Sequence, residues 1–325
     1  MGHGFPSASP SRGLWEYLHY LYDNQNNIGV SPGFPGKTWF VDAFSGNSSA
    51  TDGDTWDTAF ATMAQAFAKL SSGDRIFFKG KIQEQLVTPV QVFDVAIIGI
   101  ANRPRHADAS PVGGNIGANT WTIPASPTAA EPLCRVLQQG WAFVNILFAG
   151  PSDDAAVELY RDAGAGDAER DASHASFINC RFASGSGGIN DVGGCVNVLV
   201  QGCRFEALTG YCIQGVGNIG VGQSDWLIQD NVFDGFTNGI KIAAFGCVLQ
   251  NNKFTDGGTP ATTFVLNISN GGGQDNQVVL NFFQTTTANF NSPDVVGNAT
   301  DVWVNYSFNA AAAGVSGVYE VGQPA

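Results

Sequence analysis

The sequence predicts an all-β fold in which the chain winds into a parallel β-helix, and three observations support this prediction. Six-residue phrases that end in an aromatic residue recur along the chain, for example FVNILF at 143–148 and FINCRF at 177–182. Their final aromatics are 21 to 34 residues apart, which suits one coil of a β-solenoid with turns of variable length. The 41 glycines favour short strands and tight turns over helices.

Each phrase places its last aromatic residue at the same position of a strand. Parallel coils stack about 4.7–4.9 Å apart, so equivalent side chains lie above one another. We therefore expect one interior file of rings, a core ladder along the axis of the solenoid. Its expected members are Phe148, Phe182, Phe205, Phe233, Phe254, Phe283 and Phe308.

A second inward column is expected two residues before each aromatic, because alternate residues of a strand share a face. This column holds Cys180 and Cys203, and then Asn231, Asn252 and Asn281. An Asn at this position can bond to the Asn of the next coil and to the turn backbone, which satisfies polar groups that are costly to bury. The two cysteines are expected to be reduced and buried, and a disulfide between them is the less favoured alternative.

A further strand follows each phrase after a short turn, as in AVELY at 156–160 and YCIQG at 211–215. Each coil should therefore contain at least two strands. The outward positions of these further strands predict a polar stripe along one face, for which solvation is the simplest interpretation. The stripe contains Glu158, Asn190, Gln214 and Lys241.

Composition limits the class of protein. The 325 residues are 44% hydrophobic and only 13% charged, which predicts one long globular domain and not a disordered chain. The formal net charge is −13 with only 15 Lys and Arg, so neither nucleic acid nor membrane is expected as a partner. The first residues lack the pattern of a signal peptide, and we expect synthesis and folding in a cytoplasm.

The chain divides into three predicted parts. Residues 1–37 form an amino-terminal arm with a short helix, residues 38–310 form the capped β-helix, and residues 311–325 form a tail. Within the second part, Ala59, Met63, Phe67 and Leu70 recur at helical spacing, and this helix is expected to cover the open end of the core. The arm carries an apolar helical stripe that either packs on the rod or mediates assembly. Its residues are Leu14, Trp15, Leu18 and Leu21.

The stretch that opens the second part contains further motifs: TAFATM in an Ala-rich helix, then SGDRI, then VFDVAIIGI at 92–100. Together with the Val-Asp and the Gly/Ser/Asp loop before them, these motifs resemble the opening of right-handed parallel β-helix proteins of the pectin-lyase-like superfamily. The resemblance covers about residues 38–310. Members without a signal peptide resemble bacteriophage tailspikes and virion surface proteins. The resemblance implies a virion surface protein made in the host cytoplasm, which forms a homotrimer and contacts other virion proteins.

The catalytic motifs of this superfamily are incomplete here. Polygalacturonases carry an Arg-Ile-Lys motif, and NGIKI around Lys241 is partly similar to it. They also carry a Gly-His-Gly motif, which this sequence lacks. The stretch DWLIQDN at 225–231 resembles a pectate lyase motif but has no His. The four histidines are scattered, so no metal site and no cofactor are indicated. Ca²⁺ stays open as an alternative.

The sequence therefore favours a structural protein of the virion surface, such as a head decoration protein or a short spike, with surface polysaccharide as a further ligand. The alternative is a tailspike enzyme, either a polysaccharide lyase or a glycoside hydrolase, so the question of catalysis stays open. Two sets of residues would serve a glycan site. The catalytic candidates are Glu158, Asp191, Glu206, Asp225, Asp230, Asp234 and Lys241, and the candidates for stacking on a sugar are Tyr211 and Trp226.

Overall fold

A computed structural model describes most of the chain from residue 36 onward. The described residues are 36–50, 52–100, 119–162, 170–215, 222–255, 264–268, 275–285, 295–296, 302–309 and 319–321. Apart from Gly36 they belong to one compact unit, Lys37–Ala325. The assembly stripe predicted for the arm (Leu14, Trp15, Leu18 and Leu21) lies outside the described residues.

Short strands and one helix, α1 (Met63–Phe67), make up the regular structure. The strands in chain order are β1 (Thr38–Asp42), β2 (Arg75–Lys79), β3 (Lys81–Gln83), β4 (Leu86–Val87), β5 (Ala96–Gly99), β6 (Thr120–Thr122), β7 (Cys134–Val136), β8 (Ala142–Val144), β9 (Leu147–Ala149), β10 (Ala155–Leu159), β11 (Ser176–Ile178), β12 (Arg181–Gly185), β13 (Gly187–Asp191), β14 (Leu199–Gln201), β15 (Arg204–Leu208), β16 (Tyr211–Gly215), β17 (Gln223–Ser224), β18 (Leu227–Gln229), β19 (Val232–Asp234), β20 (Asn238–Lys241), β21 (Ala244–Phe245), β22 (Val248–Gln250), β23 (Lys253–Thr255), β24 (Phe264–Asn267), β25 (Gln277–Thr285), β26 (Val295–Val296), β27 (Val302–Asn309) and β28 (Tyr319–Val321).

The strands pair into three parallel ladders, and a complete coil contributes one strand to each. The first ladder runs β1, β2, β5, β8, β11, β14, β18, β22, then the first parts of β25 and β27. The second runs β3, β6, β9, β12, β15, β19, β23, then the last parts of β25 and β27. The third runs β4, β7, β10, β13, β16, β20, β24, β26. Outside these ladders, β17 pairs with β21 in parallel and β28 pairs with β27 antiparallel. The predicted parallel winding is confirmed, with three strands in a complete coil and a fourth in the coils of β17 and β21.

Inside the coils, aromatic rings stack in one file along the second ladder. Phe182, Phe205 and Phe233 pair in register. From Phe148 to Phe283, neighbouring ring centroids are 4.6 to 5.0 Å apart and the ring planes differ by only 5° to 11°. Trp121 extends the file at its amino-terminal end, 6.0 Å from Phe148.

Phe308 is out of register with Phe283, so its predicted place in the ladder was wrong. Two residues of β25, Leu280 and Asn281, lie between paired positions where β27 has one. This irregularity shifts the register, so Phe283 pairs with Ser307 and Phe308 with Gln284. A phrase of the right length therefore ends one position away from the file.

Beside the rings, buried asparagines form the expected ladder. Asn252 Oδ1 accepts hydrogen bonds from the backbone N–H and the Nδ2 of Asn231 at 3.1 and 2.9 Å. Its own Nδ2 donates to the Ile228 carbonyl and to Asn281 Oδ1. The Asn252 amide thus bonds to groups of the coil before it and of the coil after it, as buried polar groups require.

Cysteines take the place of asparagine in the earlier coils. Cys203 Sγ donates to the Phe177 carbonyl at 3.4 Å, and Asn231 Nδ2 donates to the equivalent carbonyl of Val200 at 2.9 Å. Cys180 makes the same contact with Phe143. All six cysteines are buried and none forms a disulfide, so these thiols belong to the core as small apolar groups and weak donors.

In most coils, two corners have a left-handed backbone. One corner follows the first-ladder strand and the other lies two residues before it, and φ at these positions is between 53° and 76°. Asn, Asp and Gly adopt this conformation at the lowest cost. The first corner contains Asn145, Asn179, Gly202, Asp230, Asn251 and Leu280, and the second contains Asp94, Gly140, His174, Asn197, Asp225, Gly246 and Asp275.

The helix α1 is shorter than the predicted periodicity. It begins after Thr62, which forms a capping box with Gln65, while Phe60 forms β-bridges with Val41 and Asn47. The ring of Phe67 contacts the interior rings of Trp121 and Trp141 at centroid distances of 6.4 and 5.6 Å. The packing of this short helix therefore depends on aromatic contacts more than on its own length.

At the end of β1, the buried carboxylate of Asp42 is expected to stabilise the fold in a pH-dependent way. Burial raises its pKa, but hydrogen bonds from Ser45, Lys79 and the Phe44 N–H outweigh burial and lower the pKa to about 2. Because the folded-state pKa is below the ordinary value, this stabilisation is present above about pH 4 and is lost as the pH falls towards 2. We expect Asp42→Asn to cost about 2 kcal/mol at pH 7 and much less at pH 2. Urea denaturation at both pH values measures this difference, and an equal loss at both would contradict it.

Candidate functional site

The third ladder aligns polar side chains from successive coils in one row. Glu158 pairs with Asn190, Asn190 with Gln214, and Gln214 with Lys241. The register extends the predicted stripe at both ends, to Arg135 before it and Asn267 after it. With about 4.8 Å per coil, the six residues span roughly 24 Å. We call them the third-ladder row.

A groove of about 170 Å³ lies beside this row. It holds two acidic side chains, Asp153 and Asp154, just before β10, and the ring of Tyr211 from β16. Asn190 Oδ1 is buried there with no hydrogen-bond partner in the described part of the chain. The remaining lining residues are Ala155, Ser186, Gly187, Ile189 and Gln214.

The acidic end of the row is held by one arginine. Arg135 Nε bonds to Glu158, and its Nη2 lies 3.0 Å from Glu131. Burial raises the pKa of Glu158, although Arg135 opposes the shift. Burial also raises the pKa of Asp154, against the hydrogen bond from the Ala155 N–H and the charge of Arg135. Two partly desolvated carboxyl groups thus share the neighbourhood of one cation.

At the other end, Lys241 lies over an aromatic ring. Its Nζ is 5.7 Å from the ring centroid of Tyr211, within the range of a cation–π contact. Tyr211 is half-buried, so part of its ring stays accessible beside the groove. Of the two stacking candidates from the sequence, Tyr211 is placed where a sugar could contact it.

Trp226, the other stacking candidate, is only 1% exposed, and its Nε1 donates to the Cys195 carbonyl at 2.7 Å. The assignment as a stacking residue was therefore wrong, because Trp226 and Ile228 point inward while Leu227 is half-buried. Asp191 is also buried. It accepts hydrogen bonds from the backbone N–H groups of Gly193, Gly194 and Cys195 and from Gln223, and this fixes a turn instead of serving a substrate.

Two further catalytic candidates, Glu206 and Asp234, lie together on the second ladder, away from the row. Glu206 accepts hydrogen bonds from Arg181 and Arg204, and Arg204 Nη2 also lies 2.7 Å from Asp234. This alternation of opposite charges offsets the stacking of Arg181 directly on Arg204. The arrangement indicates a partly buried ion-pair network that explains these acids without a substrate.

Asp225 and Asp230 occupy the two left-handed corners and are exposed. Asparagine or glycine holds the equivalent corner in other coils, so the backbone conformation explains their residue type. Of the seven catalytic candidates, Glu158 and Lys241 therefore belong to the third-ladder row, three coils apart.

The groove also contains residues that sequence reasoning passed over. Asp153 and Asp154 form an Asp-Asp pair in a loop, and their sequence position just before the strand of Glu158 was the available signal. Ser186 had no such signal, because a turn of variable length sets its position. Among the described residues, no group of three His, Cys, Asp or Glu is placed to hold a metal ion. No helix in the described part of the chain has the length and apolar character needed to cross a membrane.

The three ladders around files of stacked side chains define a parallel β-helix protein. The structure is similar to a GH136 lacto-N-biosidase from Eubacterium ramulus, with a TM-score of 0.52, 11% identity, and coverage of 90% of this chain and 59% of that one. Looser likenesses are to a rhamnogalacturonan lyase (TM-score 0.48, 13% identity, 78% of this chain and 71% of the other) and to the pectate lyase Pel9A (0.49, 11%, 90% and 82%).

At this identity, the likeness to the lacto-N-biosidase supports the fold alone, and the chain spans 59% of that protein's length. No protein-family model and no curated protein sequence matches the chain. What the groove does must therefore be argued from its own residues.

Proposed function

We propose that this protein binds carbohydrate along the third-ladder row. The observation that carries the proposal is the groove, where hydrogen-bonding side chains of successive coils are aligned beside the accessible ring of Tyr211. Sugars offer hydroxyl groups to such side chains and apolar faces to an aromatic ring. A row that repeats once per coil suits an extended polymer better than a compact ligand.

The binding test compares matched glutamines on two ladders. In affinity electrophoresis through gels that contain dextran, galactan or β-glucan, we expect at least one polymer to retard the wild-type protein. Gln214→Ala should weaken binding about two- to tenfold, the worth of one hydrogen bond. Gln250→Ala, which removes a half-buried glutamine of the first ladder bonded to Gln229, should leave it unchanged. Equal effects of the two substitutions, or no retardation by any polymer, would contradict the proposal.

For the biological setting, we propose a surface protein of a bacteriophage virion, a head decoration protein or a short spike, made in the host cytoplasm. The resemblance of residues 38–310 to right-handed β-helix proteins supports this setting, as does the continuous stacking that would make a rigid rod. The partners would be two further copies in a homotrimer and other virion proteins. Light scattering after gel filtration tests the trimer, and a monomer at all concentrations would exclude it. Capsid or tail genes beside this one would support the virion role.

A second candidate function is cleavage of the bound polysaccharide. The observation that favours it is the pair Asp154, just before β10, and Glu158 within β10, since burial raises the pKa of both and a general acid needs a raised pKa. Release of reducing ends from the retained polymer would show cleavage, and Asp154→Asn should abolish it while binding persists. Binding without release of reducing ends would leave a protein that binds glycan without cutting it.

A further inference from the structure

We infer that the groove selects glycans that present hydrogen-bond donors, either hydroxyl or ammonium groups, and rejects polyuronates. The inference rests on the proposed function, that the groove binds glycan, and adds the charge class of the ligand. It follows from the charges and the hydrogen-bonding capacity of the groove, which point the same way.

The charge around the groove is negative. Two carboxylates line the groove and two more lie close to Asp154, and Arg135 is the cation beside them. Arg135 is engaged by two of these carboxylates, and Lys241 lies over the ring of Tyr211. The carboxylates belong to Glu131, Asp153, Asp154 and Glu158.

The polar atoms of the lining are mostly acceptors. Asp153 Oδ2 accepts from the Ala130 N–H at 2.9 Å and Asp154 Oδ1 from the Ala155 N–H at 2.7 Å, and a carboxylate can accept about four hydrogen bonds. Asn190 Oδ1, buried without a partner in the described part of the chain, is a further acceptor. A ligand that supplies donors would satisfy the buried Asn190 oxygen, which is costly to leave unbonded, and would replace water at the two carboxylates.

A uronate carboxylate in this groove would bring another acceptor and another negative charge. It would lie well within the Debye length of about 10 Å from Asp153 and Asp154, so salt would screen the repulsion only partly. A bridging cation would relieve the repulsion, but the described residues include no group of three acidic or other ligating side chains to hold one. A neutral hydroxyl group is not repelled by these carboxylates, and an ammonium group is attracted to them.

The test measures binding of three probes at low salt by isothermal titration calorimetry: dextran oligosaccharides, chitosan oligosaccharides and oligogalacturonates. For the wild-type protein we expect the tighter of the first two to bind at least about tenfold more strongly than the oligogalacturonates, the scale of a single nearby charge. Asp153→Asn with Asp154→Asn should reduce this preference to about threefold or less. The matched control, Asp225→Asn with Asp230→Asn, removes the same charge at exposed corners where other coils carry asparagine and should keep the preference.

Each outcome bears on a different statement. If the wild-type protein binds oligogalacturonates most tightly and Gln214→Ala weakens that binding, the groove binds glycan but the inferred selectivity is wrong. If both double variants change the preference equally, the net charge of −13 and not the groove sets the selectivity, and the inference fails. Binding to none of the three probes would overturn the inference and the proposed function together.

Discussion

Replacing Asn252 with alanine is expected to lower the free energy of unfolding by about 3–5 kcal/mol. The substitution leaves the backbone N–H of Asn231 without its acceptor and the Ile228 carbonyl without its donor. Both groups are in the interior, where each lost partner costs about 1–3 kcal/mol. Equilibrium unfolding in guanidinium chloride, followed by circular dichroism, measures the change.

Two matched variants distinguish the effect of losing the Asn252 hydrogen bonds from the effect of changing the adjacent left-handed corner. Asn252→Cys restores a donor like that of Cys203 Sγ to Phe177, but no strong acceptor, so an intermediate loss is expected. Asn251→Gly changes the neighbouring exposed residue at a φ of 54°, which glycine adopts freely, and should cost less than about 0.5 kcal/mol. If Asn252→Ala and Asn251→Gly lost the same amount, the ladder of amides would not be a source of stability.

The core was predictable because parallel winding repeats one environment many times. Phe182, Phe205, Phe233 and Phe254 occupy equivalent positions, so their spacing in the sequence is enough to place them in one file. Trp121 escaped prediction because residues 101–118 separate it from the strand before it, whereas the other phrases contain that strand in their first half. Phe308 was misplaced because a register shift, unlike a spacing, leaves no mark in the phrase.

The functional face was predictable only in part, for a related reason. Glu158, Asn190, Gln214 and Lys241 are in register because β10, β13, β16 and β20 are, and the sequence placed them in one stripe. The walls of the groove come from turns at Asp153, Asp154 and Ser186, whose lengths vary between coils. The repeat determines which side chains of adjacent coils lie above one another. It does not determine the lengths of the turns, and these decide where a groove forms.

Single acidic residues were harder to interpret than rows. Asp191, Asp225 and Asp230 looked alike as candidate acids in the sequence, yet one is buried in a turn and two hold left-handed corners. Asp and Asn favour such corners for local backbone reasons, so an acid in a turn of this fold is weak evidence for chemistry. The alignment of a polar residue with polar neighbours in adjacent coils is the better signal.

The substitution Phe205→Ala is expected to cost about 3–5 kcal/mol, as for other buried phenylalanines replaced by alanine. Phe205 is fully buried, and its ring stacks on Phe182 at 4.7 Å and on Phe233 at 4.9 Å. Removing it leaves a cavity and also breaks two stacked pairs, each worth about 0.5–1.5 kcal/mol beyond the buried area. The third ladder packs closely against this ring: a Cβ added at Gly188 of β13 would lie only 2.9 Å from it. The neighbours therefore have little freedom to collapse into the space.

The same residue type outside the file gives the control. Phe282 belongs to an equivalent phrase but is 37% exposed, so Phe282→Ala should cost less than about 1 kcal/mol, since little area leaves water at that position. Phe205→Leu should fall between the two, because it keeps part of the volume but not the ring. Guanidinium chloride midpoints for the three variants at one pH would rank them. Equal losses for Phe205→Ala and Phe282→Ala would mean that burial in the file contributes nothing beyond the residue type, which is incompatible with a core built on stacked rings.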